Sequence, residues 1–228
     1  GSSINYKIDS PPTANATTGS LPPTQTSSLF ISEISEGSSN NKYLEIYNGT
    51  GSTVDLVNYS ISKCSNGCNT TNEFDTPNAV TFSAGTNLVN GDVYIVYHGS
   101  SSADITAEGD ATYGSFSNGD DAMALTIAGA TASSYTIVDI VGDMGDDPGS
   151  GWNVAGVTNA TQNHTLVRKS SVTGGNTTWS SSAGTNVNDS EWIVEAQDNW
   201  ENIGYHNLTT YITISGNDGW RMLSLPKS

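Results

Sequence analysis

The stretch from Leu29 to Lys63 constrains the fold more than any other part of the sequence. It opens with two runs rich in β-branched and aromatic residues, Leu29 to Ile34 and Lys42 to Tyr47, separated by the polar segment Gly37 to Asn41. This pattern predicts a β-hairpin. After a second Gly-containing turn, apolar residues continue at mostly even spacing, at Val54, Leu56, Tyr59 and Ile61. We therefore predict an antiparallel meander of three strands.

The predicted hairpin fixes which side chains face each other. A turn centred near Ser39 sets Glu36 opposite Lys42, which is an ordinary cross-strand ion pair. The same register sets Glu33 opposite Glu45, and like charges face to face are unfavourable unless hydrogen bonds, a cation or solvent relieve them. Two close carboxylates suggest the acid/base pair of a glycosidase or half of a metal site. The alternative is structural: both side chains accept hydrogen bonds from loop amides.

A series of sequence blocks resembles the lamin-tail domain, which occurs in nuclear lamins and in many secreted bacterial proteins. Between residues 29 and 206 the blocks follow in the order ISEI, YLEIYNGTG, VDLVNYSIS, LVNGDVYIV, FSNGDDAMALT, IVDIVGDMGDDPGSGW and HTLVRKSSVTGGN. The order of the blocks is more specific than any single one. The resemblance implies an all-β, immunoglobulin-like antiparallel β-sandwich. It also implies a non-catalytic module that binds or anchors, often appended to extracellular nucleases, and it brings no catalytic residues.

Three regions are expected along the chain. Residues 1–28 read as an extended N-terminal strand and linker, because Ile4, Tyr6 and Ile8 alternate and Pro-rich Ser/Thr sequence follows. Residues 29–207 form the lamin-tail-like sandwich. Residues 208–228 form a C-terminal hairpin or the start of a following module.

Composition limits the partners and the secondary structure. Asp plus Glu number 23 against 7 Lys plus Arg, for a formal net charge of -16. Such a field repels phosphate backbones and attracts divalent cations, so we expect no nucleic-acid binding. Polar content comes from Ser, Thr, Asn and Gly, so we expect almost no helix and a loop over residues 174–190. No run of apolar residues is long enough to predict a membrane span.

The two cysteines, Cys64 and Cys68, predict a short disulfide across a loop between strands. A zinc site is the alternative, but zinc prefers four ligands, and the three histidines, His98, His164 and His206, are scattered. No nucleophile or carboxylate stands in a recognisable catalytic motif with His98. A disulfide implies an oxidising compartment, and we therefore expect an extracellular or cell-surface location.

Gly-rich acidic loops suggest a Ca²⁺ site, because their carboxylates can wrap a hard cation. The candidate ligands are Asp143, Asp146 and Asp147, with Asp120 and Asp121. The alternative is that these side chains cap their own backbone amides.

Four tryptophans stand apart in polar surroundings, at Trp152, Trp179, Trp192 and Trp200. They suggest either a platform on which carbohydrates stack or lids that plug the ends of the sandwich. The basic pair Arg168 and Lys169 lies on a predicted strand. We interpret this pair as a structural partner of the acidic loops.

These features predict a non-enzymatic secreted or cell-surface module with a structural or adhesive role. An open antiparallel sandwich has edges that accept a strand, so residues 1–28 dock either along their own sandwich or on a neighbour. Head-to-tail addition would build a homopolymeric extracellular filament. A surface glycan or a protein is the other expected partner. The alternative function is a glycan-binding domain, or an accessory domain of a secreted nuclease or other hydrolase.

Overall fold

A computed structural model describes residues 29–145 and 147–208, and the backbone of residues 211–216 and 219–224. The chain divides into two compact units, one of residues 24–209 and one of residues 1–23 and 210–228. The predicted N-terminal strand and linker lie outside the described residues.

The larger unit contains twelve strands, two short α-helices and one 3₁₀ turn among its described residues. The strands are β1 Phe30–Glu36, β2 Lys42–Tyr47, β3 Val54–Asp55, β4 Tyr59–Cys64, β5 Thr76–Thr81, β6 Asn87–Leu88, β7 Val93–Tyr97, β8 Ala111–Thr112, β9 Ala122–Ile127, β10 Ile137–Val141, β11 Thr165–Arg168 and β12 Trp192–Glu195. The helices are α1 Ala103–Glu108 and α2 Trp179–Ala183, and the 3₁₀ turn is Leu56–Asn58.

In the smaller unit the described residues form one antiparallel hairpin. Its strands are β13 Tyr211–Gly216 and β14 Gly219–Ser224, which pair from Tyr211 opposite Ser224 to Gly216 opposite Gly219. The hairpin predicted beyond residue 208 is therefore present.

Two sheets make up the body of the larger unit. The first has the strand order β12-β11-β1-β2-β7-β8, and the second has the order β10-β9-β4-β5. Every pairing within them is antiparallel except the two-residue contact of β7 with β8. Side chains of both sheets form one buried apolar cluster, which includes Leu44 and Val96 from the first and Ile61 and Leu125 from the second. The predicted all-β sandwich is confirmed.

The first hairpin forms as predicted, but the three-strand meander is wrong. Strand β2 has β7, not β4, as its second neighbour, and β4 crosses to the second sheet between β5 and β9. The cause is Asp55, whose side chain accepts a hydrogen bond from the Val57 amide and caps the 3₁₀ turn. The three-residue step from Leu56 to Tyr59 marks this break in the alternation.

The 174–190 loop prediction is wrong, because α2 lies inside it. Trp179, Ser182 and Ala183 are the buried residues of α2, and their i, i+3, i+4 spacing is that of one helical face. Five residues are too few for this period to be visible in the sequence. Among the described residues, no helix is long and apolar enough to cross a membrane.

Arg168 ties the two sheets together inside the core. Its guanidinium, fully buried on β11, pairs with the equally buried carboxylate of Asp139 on β10. Asp139 also accepts a hydrogen bond of 2.7 Å from the amide of Ile31, while Arg168 Nε donates to the Ile31 carbonyl at 3.1 Å. The Trp192 ring covers the guanidinium at 3.9 Å. This pair therefore joins β1, β10 and β11 at one point.

Arg168 lies on β11 and Lys169 directly follows the strand, and these two basic residues have different partners. Arg168 pairs with one acidic loop residue, Glu191, at 2.5 Å, but its other partner, Asp139, lies on a strand. Lys169 donates instead to the main-chain carbonyls of Val187 and Ser190. The predicted pairing with acidic loops thus holds for Arg168 in part, whereas the contacts of Lys169 are to carbonyl groups.

Candidate functional site

The carboxyl pair expected from the sequence is present in the first hairpin. Glu33 lies opposite Glu45, and Glu36 lies opposite Lys42, with 2.9 Å between the Lys42 Nζ and Glu36 Oε1 atoms. The register shifts between Ile31 and Glu33, so Ser32 is the extra residue of a β-bulge. Its hydroxyl donates to Glu45 Oε1 at 2.6 Å. The bulge thus supplies a donor to one of the two facing acids.

Other groups bind the remaining carboxyl oxygens of the pair. The Tyr43 hydroxyl donates to Glu33 Oε1, and the Gly204 amide donates to Glu45 Oε2 at 2.9 Å. Glu33 Oε2 is buried and accepts no hydrogen bond from the described residues. Glu33 and Glu45 are 1% and 0% exposed, so the pair has no contact with solvent.

Burial changes the acidity of both groups. It raises the pKa of Glu33 to about 7 and that of Glu45 to about 8, because a charged carboxylate is penalised where water is excluded. The charge of Glu195 raises the pKa of Glu33 further, and Glu33 does the same to Glu45. The two acids therefore hold protons at pH values where exposed glutamates are ionised.

A small second core closes this face of the sheet. Tyr43, Ile95 and Ile105 form it, and Trp200 and Ile203 pack against it. These side chains come from two strands, from α1 and from the segment after β12.

Gly204 brings that segment close to the pair. It has φ +91°, and a Cβ atom there would lie 2.8 Å from Glu108 Oε2. Glycine permits both this left-handed backbone and the close approach. The carboxyl pair is therefore enclosed and leaves no room for a substrate.

An open cleft of about 210 Å³ lies beside α2. Aromatic and polar side chains line it together, among them Asn72, Tyr135, Asp143, Thr177, Thr178 and Trp179. The Tyr135 hydroxyl donates to the Asn72 carbonyl at 2.7 Å and fixes one wall. This cleft can accept a small polar ligand, in contrast to the carboxyl pair.

A comparison of the sequence with models of protein families shows which family the chain belongs to. The family model described as Lamin Tail Domain matches residues 22–139, just over half of the 228-residue chain. The chain belongs to the lamin tail domain family. Its fold is accordingly immunoglobulin-like, as the sequence resemblance implied. No curated protein and no solved structure matches the chain.

The disulfide predicted for this lamin tail domain is confirmed. Cys64 and Cys68 are bonded, with 4.6 Å between their Cα atoms. Cys64 ends β4 and belongs to the main core, whereas Cys68 lies in the following loop. The bond therefore anchors that loop to the sandwich.

The proposed calcium ligands are spread over two loops. Asp121 pairs with Lys63 at 3.0 Å, and Asp147 Oδ1 accepts the Gly149 amide at 2.7 Å, a turn contact of the kind the alternative reading expects. Asp146 lies outside the described residues, and no group of three or more His, Cys, Asp or Glu within the described ranges is placed to hold a metal ion. Calcium binding by Asp120, Asp121, Asp143, Asp146 and Asp147 stays a prediction.

Three tryptophans of the domain form a cluster. The ring centroids of Trp152 and Trp179 are 6.5 Å apart, as are those of Trp179 and Trp192. Trp179 and Trp192 are 5% and 0% exposed, so they present no open platform for carbohydrate stacking. Trp179 does contribute to the lining of the cleft.

The histidines lie in separate environments. His206 packs against the rings of Phe30 and Tyr47, and burial lowers its pKa to about 4. His98 Nδ1 accepts the Ser100 amide, and His164 Nδ1 bonds the Gln162 carbonyl at 2.7 Å.

Sequence reasoning missed the groups that solvate the acid pair. Tyr43 and Ser32 lie within two residues of the acids in sequence. Only the β-bulge brings the Ser32 hydroxyl within hydrogen-bonding distance of Glu45, and no residue between Leu29 and Ile34 predicts a bulge. Gly204 lies 159 positions from Glu45. Contacts of this range have no local signal in the sequence.

Proposed function

We propose that this lamin tail domain is a non-enzymatic module that works outside the cell or on its surface, in adhesion or assembly. The enclosure of Glu33 and Glu45 carries the proposal. These are the two facing acids that most resemble a catalytic pair, and they are buried beneath packed side chains. Their neighbours make them structural groups.

The extracellular part of the proposal rests on the disulfide and on the charge. A Cys64–Cys68 bond persists in oxidising compartments. A net charge of -16 disfavours nucleic-acid partners.

The assembly part of the proposal rests on an open sheet edge. Strand β12 is the outermost strand of the first sheet, and Ile193 on it is 45% exposed. An extended segment can pair with such an edge through main-chain hydrogen bonds. We assign this role to residues 1–28 of a neighbouring copy, with Ile4, Tyr6 and Ile8 as the side chains that contact the sheet.

Light scattering and electron microscopy of the full chain test this assembly. We expect filaments from the intact chain, and their loss when residues 1–28 are deleted or when Ile4, Tyr6 and Ile8 become Ser. Lys7→Ser is the matched control, because successive side chains of an added strand would alternate between its two faces and Lys7 would not share the face of Ile4, Tyr6 and Ile8. A strictly monomeric intact chain, or filaments unaffected by the deletion, would rule out strand donation.

A hydrolase and nuclease screen tests the non-enzymatic part of the proposal. We expect no turnover from the purified chain. Turnover that Glu33→Gln or Glu45→Gln abolishes would contradict the structural role of the pair.

A second candidate function, glycan binding, is favoured by the cleft beside α2. Its aromatic edges at Tyr135 and Trp179 and its polar groups at Asp143 and Thr177 suit the apolar faces and hydroxyls of a sugar. Saturation-transfer NMR with methyl glycosides of glucose, galactose and mannose tests it. Asp143→Ala should abolish the signal and Asp104→Ala, on α1, should preserve it. Equal signals from both variants would place any binding elsewhere.

A further inference from the structure

Three reactive groups meet at the start of β2. Lys42 Nζ lies 2.9 Å from Glu36 Oε1 and 3.0 Å from the Asn118 Oδ1 atom, and it donates to the Ser117 carbonyl at 2.8 Å. The Lys42 side chain is 9% exposed and that of Glu36 is 13% exposed. A mostly buried amine and carboxylate thus meet the carboxamide of Asn118, which is an exposed residue.

We propose that Lys42 and Asn118 become joined by an intramolecular isopeptide bond, with Glu36 carrying the protons. Nothing in the proposed function requires this bond, so the inference goes beyond it. The bond would link β2, the second strand of the hairpin, to the loop that leads into β9. It would therefore connect the two sheets of the sandwich covalently.

The step balances without any oxidant or cofactor. Glu36 takes a proton from the Lys42 ammonium, and the free amine attacks Cγ of Asn118. The new bond between Nζ and Cγ forms while the bond between Cγ and Nδ2 breaks. The protonated Glu36 gives its proton to Nδ2, which departs as ammonia, and then takes a proton from the attacking nitrogen. The products are a secondary amide and an ammonium ion, because the ammonia leaves with the proton that Glu36 holds.

The protein holds these groups in position for attack. Holding an amine beside the carbonyl group that it attacks makes the reaction unimolecular, which raises the effective concentration by many orders of magnitude. Lys42 Nζ is held 3.0 Å from Oδ1, the oxygen that is bonded to Cγ of Asn118. The Asn163 amide donates to Glu36 Oε2 at 2.6 Å, which leaves Oε1 directed at Lys42. The Ser117 carbonyl fixes Nζ from a third side.

Gly119, the residue after Asn118, favours the isopeptide bond over succinimide formation, which is the common competing reaction. In Asn-Gly sequences the glycine amide can attack Cγ and form a succinimide, which also releases ammonia. Here the Gly119 amide donates to Ser117 Oγ at 2.9 Å. Gly119 also has φ +105°, and a Cβ atom there would lie 2.7 Å from the Ser150 carbonyl, so its backbone is confined. The amide is thus engaged away from the side chain of Asn118.

A second buried lysine provides a matched control. Lys63 Nζ lies 3.0 Å from Asp121 Oδ2 and 2.9 Å from the Ser115 carbonyl. This site has a carboxylate in place of the carboxamide, so it has no ammonia to lose. A simple buried ion pair at Lys42 would behave in the same way as Lys63.

Intact-mass spectrometry of the reduced full chain tests the proposal. We expect a mass below the sequence mass by one molecule of ammonia. Trypsin should fail to cleave after Lys42, and a branched peptide should join the segments that contain Lys42 and Asn118. Glu36→Gln and Asn118→Ala should each restore the full mass, whereas Lys63→Met should keep the deficit. Asn118 is exposed, so its replacement leaves the fold in place.

Two outcomes would overturn the bond. The full sequence mass in the intact chain would show that Lys42 is only an ion-pair partner. A deficit that persists in Lys42→Met would assign the lost ammonia to a succinimide at Asn118.

Discussion

Glu33 and Glu45 give the domain a pH dependence opposite to that of ordinary surface acids. A carboxyl group whose pKa is raised on folding binds its proton more tightly in the folded state, so its contribution to stability is lost as pH rises toward the folded pKa. The usual pKa of 4.5 rises to about 7 and about 8 for these two groups. The charges that face them, Glu195 and Asp110, act in the same direction.

His206 opposes this trend over part of the range. Its pKa falls from 6.5 to about 4, so its contribution to stability increases as pH rises from 4 to 6.5. Between pH 4.5 and 6.5 the one histidine therefore offsets only about half of the effect of the two glutamates. Above pH 6.5 only the glutamates remain in this balance.

We predict that the free energy of unfolding falls by on the order of 2 kcal/mol between pH 6.5 and pH 8. Urea denaturation at the two pH values measures it. Glu45→Gln should flatten the slope, because a neutral amide has no proton to lose, and Glu201→Gln on the surface should not change it. A slope that is unchanged in Glu45→Gln would show that other groups cause it.

Loss of the buried Arg168 side chain should strongly destabilise the domain. Arg168→Met leaves the fully buried Asp139 without its charged partner, which costs about 3 to 5 kcal/mol. Lys169→Met is the neighbouring control and removes two contacts to carbonyls, which costs about 1 kcal/mol. The midpoints of urea denaturation compare the two variants, provided that the unfolding free energy depends on urea concentration with the same slope in both. Equal losses would mean that the buried pair adds little.

At the scale of elements, the acidic loops before β9 and after β10 are the place where ion binding would appear. Asp120 Oδ1 is buried without a hydrogen bond in the described part of the chain, and burial and the charges of Asp121 and Asp147 raise the pKa of this carboxyl. A divalent cation would relieve both effects.

We predict that millimolar Ca²⁺ raises the melting temperature relative to chelator. Asp143→Asn with Asp147→Asn should remove the rise, and Asp104→Asn on α1 should leave it. The same melting temperature in Ca²⁺ and in chelator would end the calcium hypothesis.

Strands in which apolar and polar residues alternate could be predicted from the sequence, whereas elements that depend on a capping side chain or on distant packing could not. The facing of Glu33 with Glu45 follows from the turn at Ser39, which adopts φ 59°. The path of β4 depends on a side-chain cap at Asp55, and α2 depends on the burial of Trp179 against distant rings. The cap joins residues only two positions apart, but many Asp residues stand in such a position without ending a strand, whereas the contacts of α2 span parts of the chain that no window of sequence contains. The enclosure of the acid pair by Gly204 is of the same kind.

For the whole molecule, the net charge of -16 decides how copies approach each other. Two domains of equal charge repel, and the repulsion between exposed charges is screened beyond about 10 Å at 0.1 M salt. The proposed strand addition at β12 would act through main-chain groups, which salt affects little. Repulsion should therefore be the part of the association free energy that responds to ionic strength.

We predict that self-association strengthens as NaCl rises from low to physiological concentration, because screening removes the repulsion while the strand contact remains. Sedimentation velocity on the full chain measures the shift, and the chain without residues 1–28 is the control that should stay monomeric throughout. A series of CaCl₂ at matched ionic strength separates screening from specific ion binding. Association that weakens with NaCl would show that opposite charges hold the copies together, and strand addition would then be the wrong contact.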